Sequence, residues 1–263
     1  MPAGASIDLE GVGIQISGQR IVSDITLSIA AGEFVCLLGP SGCGKSTLLN
    51  AIAGFIPVEG RLLVGGQQIR GPGIDRGVVF QNSDALFPWL TARENVEYGP
   101  RIRGVDKAER AKAARYYLEL VGLGHAVDKF PAELSGGMRQ RLQIARVLVN
   151  EPSVMLMDEP FGALDAQTRE VMQHELDRIW RATRSTIVFV THDIGEAILL
   201  ADRVFTMTTG PAARIKSIVP IDLPHPRDET DPGAIAIHRD LRDDIGEEVS
   251  KVLRQQGLRE KTA

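Results

Sequence analysis

The hydrophobic pattern of this 263-residue chain changes period twice. Residues 6–16 and 21–29 are β-branched and roughly alternating, with Ser17-Gly18 between them, and predict an antiparallel β layer. Residues 33–38 are almost continuously apolar, as expected of a strand buried on both faces. A helix is predicted over 45–54. Short strands follow over 61–64, 67–69 and 77–80, punctuated by Gly-Gly and Gly-Pro-Gly. From about residue 90 to 150 the period becomes helical. Residues 109–121 space Ala113, Tyr117 and Leu120 along a helix, and 136–150 carry Leu142, Ala145 and Val149 on one stripe. The strand pattern returns at 153–157, followed by a helix over 166–182 and strands over 186–190 and 203–207.

This order predicts an α/β core, 1–87 and 153–215, with a helical insert at 88–152 and a tail from 216 to 263. Pro220, Pro224 and Pro226 make the tail extended at first. It is expected to end in a helix near 239–255, its stripe of Leu241, Ile245, Val249 and Val252 packed on the chain's own core.

Composition narrows the function classes. Hydrophobic content of 43% and charged content of 24% are those of an ordinary globular protein. A formal net charge of −4 gives no broad electrostatic attraction to nucleic acid or anionic membrane. No apolar run approaches the roughly 18 residues of a membrane span, and the first ten residues have no signal-like pattern. Membrane association is therefore expected through a partner. Cys36 and Cys43 are too close for a structural disulfide and fit a reducing cytoplasm.

The candidate chemistry begins after the apolar strand. Gly39, Pro40, Ser41, Gly42, Cys43, Gly44, Lys45, Ser46 and Thr47 spell G-x-x-x-x-G-K-[ST] between a strand and a helix, the pattern of a phosphate-binding loop. Backbone N–H groups and the helix dipole face the anion. Lys45 is placed for the β- and γ-phosphates, and Ser46 for Mg²⁺. The strand at 153–157 runs into two adjacent carboxylates, Asp158 as a Mg²⁺ ligand and Glu159 as acceptor of the proton of an attacking water. His192 closes a further buried strand, where a ring nitrogen can bond the γ-phosphate. Gln81, at another strand end, can reach Mg²⁺ or the water and leads into the helical insert. Ser135, Gly136 and Gly137 open a long amphipathic helix. Serine with a glycine turn is an ordinary helix start, yet it is also a second anion site, and two such sites for one nucleotide suggest service to another copy of the chain.

These motifs together resemble the nucleotide-binding subunit of an ABC transporter, over residues 6–215. The resemblance implies an ATP- and Mg²⁺-dependent ATPase with a P-loop (RecA-like) core, an N-terminal antiparallel β layer and an α-helical subdomain. It implies a head-to-tail dimer in which Ser135, Gly136 and Gly137 of one copy face the P-loop of the other, with Asp165 across that interface. Adenine in the family usually stacks on an aromatic residue, and the corresponding position here is Ile16. Residues 81–96 resemble bacterial importers, in which this segment lines the groove for the permease's coupling helix. Segments 71–77 and 221–228 look most like the nitrate/sulfonate/taurine uptake group. The expected setting is the cytoplasmic face of the membrane, bound to permease subunits and served indirectly by a substrate-binding protein, with no nucleic acid. An exporter ATPase shares every catalytic motif. A soluble ABC ATPase acting on DNA or ribosomes commonly carries coiled coils, tandem domains or zinc clusters, and none is visible in the sequence.

Overall fold

The computed structural model describes residues 4–80, 85–162 and 164–255; Gln81 and Ala163 lie outside them. The chain divides into two compact units. One comprises residues 5–73 and those from 186 onward, and the other residues 74–185 with Gly4.

The first unit contains the antiparallel β layer. Strands β1 (Ile7–Ile16), β2 (Gln19–Ile29), β4 (Glu59–Val64) and β5 (Gln67–Gln68) lie in the order β2-β1-β4-β5. Ser17 and Gly18, both at positive φ, turn the chain between the first two. The alternation read from sequence is realised: Ile7, Leu9, Val12 and Ile14 are buried while Glu10 and Gln15 are exposed. The same unit holds β3 (Phe34–Leu38), parallel to β8 (Thr186–Thr191) on one side and β9 (Arg203–Met207) on the other. β10 (Ile215–Pro220) adds antiparallel to β9. All five residues of β3 and all six of β8 are buried, which explains their unbroken apolar character. Helices α1 (Lys45–Ile52), α6 (Ile194–Leu200) and α7 (Pro232–Gln255) complete the unit.

The second unit pairs β6 (Arg76–Val79) in parallel with β7 (Val154–Asp158) and carries helices α2 (Ala92–Ile102), α3 (Lys107–Leu120), α4 (Gly136–Leu148) and α5 (Ala166–Thr183). α4 seats unusually close to β6. A Cβ on Gly77 would lie 2.3 Å from Val147 Cγ1 and 3.1 Å from the Pro152 ring.

The tail departs from the expected pattern in two ways. Its helix starts at Pro232 rather than near 239, because proline suits a first helical position and Asp231 accepts a hydrogen bond from the Gly233 N–H. Its buried face is also not the apolar stripe. Leu241 is fully buried, but Val249 is 39% exposed and Glu248 only 1%. Glu248 accepts from the backbone and hydroxyl of Thr209 and from Lys251, while Asp244 accepts from Thr206 and Ser217. Lys216 donates to Glu247 and pairs with Asp244. Hydroxyls and a lysine at the edge of β9 and β10 recruit carboxylates to the helix face that a purely apolar pattern would fill.

Candidate nucleotide site

In the first unit the loop after β3 bends into α1 at Gly44, whose φ of 92° is a left-handed conformation that favours glycine. A Cβ there would also press on Val22 and Ile21 at 3.1 and 3.3 Å. Thr91, Ser135 and Asp165 cap α2, α4 and α5 with their side chains, whereas no side chain caps the start of α1. A helix start of this kind is where backbone amides can receive an anion. Lys45 is 5% exposed, and its Nζ donates to the carbonyls of Gly39 at 2.7 Å and Pro40 at 3.0 Å, which holds the ammonium over the loop. Ser41, Gly42 and Ser46 are exposed, and Thr47 is half-buried. Cys43 is buried beneath them. Burial pushes its thiol up, and the neighbouring Lys45 charge opposes that shift without cancelling it.

His192 belongs to the same edge. β3 and β8 run parallel in register, Leu38 beside Thr191, so Gly39 and His192 leave adjacent strand ends together. The His192 side chain is exposed there, between Thr191, which donates to Glu196 at 2.5 Å, and Asp193, which caps α6. Ile16 ends β1 opposite Gln19 and is 41% exposed. The strand it pairs with supplies Ile21 and Val22 against Gly44.

The second unit presents the carboxylates. β7 is buried up to Asp158, which is half-buried, and the chain turns at Glu159 with φ 42°. A non-glycine residue in this region is strained, and such strain concentrates where a side chain must be aimed. Val79 of β6 is in register with Met157, so the chain leading to Gln81 leaves beside the carboxylate pair. Gln81 itself lies outside the described residues.

Ser135, Gly136 and Asp165 share an exposed corner of this unit. Ser135 accepts from the Met138 N–H at 3.3 Å, so it is an N-cap as well as a candidate ligand. Gly137 is buried, with its Cβ position 2.5 Å from Thr168, and Thr168 donates through its backbone N–H and its hydroxyl to Asp165. Those bonds hold the Asp165 carboxyl below the usual carboxylate range. The two helix starts of α4 and α5 thus meet side by side.

Residues 22–162 match the ABC transporter family. The chain belongs to that family. Among its relatives, the taurine import ATP-binding protein TauB of Pseudomonas aeruginosa is 53% identical over 78% of each chain. The bicarbonate transport ATP-binding protein CmpC of Synechococcus elongatus is 52% identical over 79% of this chain, which spans 32% of that longer protein. A solved dimeric cassette in a post-hydrolysis state with ADP and Pi superposes with a TM-score of 0.71 at 31% identity, covering 82% of this chain and all but 1% of the other.

This ABC ATPase also carries residues that sequence reading passed over. Asn95 is fully buried in α2. Its amide donates to the carbonyls of Phe87, Leu90 and Thr91 and accepts from the Phe87 N–H, fixing the turn before the helix. Arg146 of α4 stacks its guanidinium 4.4 Å from the Phe87 ring centre and donates to the Ala85 carbonyl. Asparagine at a buried helical position was a signal for the first. Nothing local marks the second.

Proposed function

We propose that this ATPase powers uptake of a small anion through a membrane permease, working as a head-to-tail pair at the cytoplasmic face of the membrane. The observation that carries the reading is a groove of about 400 Å³ in the second unit, lined by Ile74, Phe80, Tyr98, Ile102, Arg146 and Val147. Ile74 and Ile102 are 58% and 69% exposed, and Trp89 beyond them is 70% exposed. Apolar side chains held open in this way suit a short helical segment of another protein. The groove lies against α4, the helix that starts with the signature turn, so a segment seated in it touches the element that meets the partner's nucleotide.

Within this reading, ATP is held by Gly39 to Thr47 through backbone amides and Lys45, with Ile16 against the base. Ser46, Asp158 and Gln81 are assigned to Mg²⁺; their hydroxyl, carboxylate and amide oxygens are the hard donors that ion prefers. Mg²⁺ supplies neutralisation of charge on the transferring phosphoryl group. Glu159 takes the proton of the attacking water, His192 orients at the γ-phosphate, and Ser135, Gly136, Gly137 and Asp165 act on the nucleotide of the second copy. Relatives named for taurine import and bicarbonate transport support a small cargo that carries an anionic group, a sulfonate in the one and a carbonate oxyanion in the other.

The test is reconstitution with the permease and its binding protein in liposomes supplied with taurine, an alkylsulfonate, nitrate or bicarbonate. ATP-dependent accumulation of one of them is the expected result. Hydrolysis without accumulation of any would sink the importer reading and leave the ATPase intact.

A further inference from the structure

Helix α6 directly follows His192 and is only seven residues long. Isolated helices of that length do not hold themselves, so its direction, and with it the placement of His192, depends on how its two ends are fixed. The near end is fixed locally. Asp193 accepts from the Glu196 N–H, and the Thr191 hydroxyl donates to Glu196 while accepting from the Asp193 N–H.

At the far end the Ala201 N–H still donates to Ala197 O, but the chain then leaves the helix. Ala201, the C-cap, is extended at φ −89° and ψ 144°, so the usual left-handed cap that satisfies last-turn carbonyls is not formed. Arg227, twenty-six residues further along the chain, takes that place. Its guanidinium is buried, with the residue 7% exposed, and donates to Ile198 O at 2.8 Å, Ala201 O at 2.5 Å, Ile221 O at 3.1 Å and Leu223 O at 3.1 Å. Two of these carbonyls end α6 and two belong to the extended tail. A cation at a helix C-terminus is also favoured by the dipole. Burial of Cys36 on β3 raises its thiol; the Glu196 charge adds to that rise and the Arg227 charge opposes it.

We propose that Arg227 is a positioning residue for His192: it clamps the far end of α6 to the tail, so that segment 221–227 sets where the histidine stands. This rests on the reading of His192 as the group that meets the γ-phosphate. The rigid distance involved is about 10 Å, two turns of helix. A loosened far end therefore becomes a displaced imidazole at the near end.

The experiment uses the full-length ATPase with R227Q and R227K, and H192Q as the reference. Turnover, the ATP KM and binding of a fluorescent ATP analogue are measured, together with the ring-methine NMR signal of His192 on addition of a non-hydrolysable ATP analogue. The H192Q variant assigns that signal. For R227Q we expect kcat to fall at least tenfold while KM and analogue affinity stay within twofold, and the His192 shift on nucleotide addition to be lost. R227K keeps the charge without the fork and should lie between. Wild-type turnover in folded R227Q, or loss of analogue binding in step with turnover, would overturn the proposal, as would an unchanged His192 shift. If R227Q does not fold, R227K decides by the same criteria; failure of both assigns Arg227 to stability alone and overturns it too. Wild-type turnover in H192Q would instead remove the role of His192 itself, whatever Arg227 does.

Discussion

Ile16 shows how much one side chain decides at the nucleotide's base. An aliphatic residue, 41% exposed at a strand end, offers contact area without a π face. Ile16→Tyr should tighten ATP about two- to tenfold, the worth of a stacked ring pair at about 0.5–1.5 kcal/mol. Calorimetric titration with ATP and GTP checks it; unchanged affinities for both would remove Ile16 from the site. Cys43 is the opposite kind of residue. Its thiol is buried and pushed up, so the thiolate fraction at neutral pH is small. In a C36S background, maleimide labelling of the folded protein at pH 7 should be much slower than in denaturant and should accelerate as pH rises. Labelling equally fast in both states would contradict the buried, protonated thiol. Cys43 was legible because it falls inside a contiguous motif, whereas Ile16 is reached only by counting back from Asp24 and Gly32 along the resemblance. Asn95, Arg227 and Glu248 were not legible, since their partners are carbonyls and hydroxyls reached only after folding.

At the scale of elements, α2 and α7 are both held by polar groups, in α7 at a face where the periodicity leads one to look for apolar ones. Asn95→Ala leaves the Phe87 N–H without its acceptor and takes a donor from the Leu90 carbonyl, while the Phe87 and Thr91 carbonyls keep backbone donors, a cost of about 1–3 kcal/mol. ATP binding to the other unit's loop should persist while permease-stimulated hydrolysis falls, measured on the reconstituted complex. For α7 the sign of the pH effect follows from Asp244 and Glu248. Burial opposes their charge, but hydrogen bonds from Thr206, Ser217 and Lys216 to Asp244, and from Lys251 and Thr209 to Glu248, outweigh it and hold both carboxyls below their ordinary values. A depressed carboxyl stabilises above its unfolded value, about pH 4, and that contribution disappears as pH falls through the lower folded value. Amide exchange in α7 should therefore be constant from pH 7 to about 5, after correction for intrinsic rates, and gain local opening below about pH 4. Exchange protection that survives at pH 3 would count against the carboxylate docking. The long helices show in the periodicity because they have several turns over which to repeat. α6 does not, since its seven residues leave no room for a repeat, and α7 starts earlier than its stripe because Pro232 reads as a break when it is in fact a beginning.

On the scale of the whole molecule, the candidate residues divide between two units. The P-loop and His192 leave adjacent strand ends of one, while the carboxylate pair and the Ser135–Asp165 corner belong to the other. Ser135, Gly136 and Asp165 are all exposed, as a surface kept for a second copy would be. Glu159→Gln should bind ATP normally, turn over almost none and accumulate as a dimer. Light scattering with ATP, and with ADP as the control, reads the mass. A monomer with bound ATP would argue against the shared site. The family was legible from motifs alone, because each is a short string with fixed spacing. The approach of α4 to β6 was not, because it depends on an atom that Gly77 lacks. That close seat has an evolutionary reading. Val147 is stiff at χ1 and Pro152 is a ring, so neither can retreat far. In a saturation library selected for transport, position 77 should return glycine, with alanine recovered only beside a smaller residue at 147.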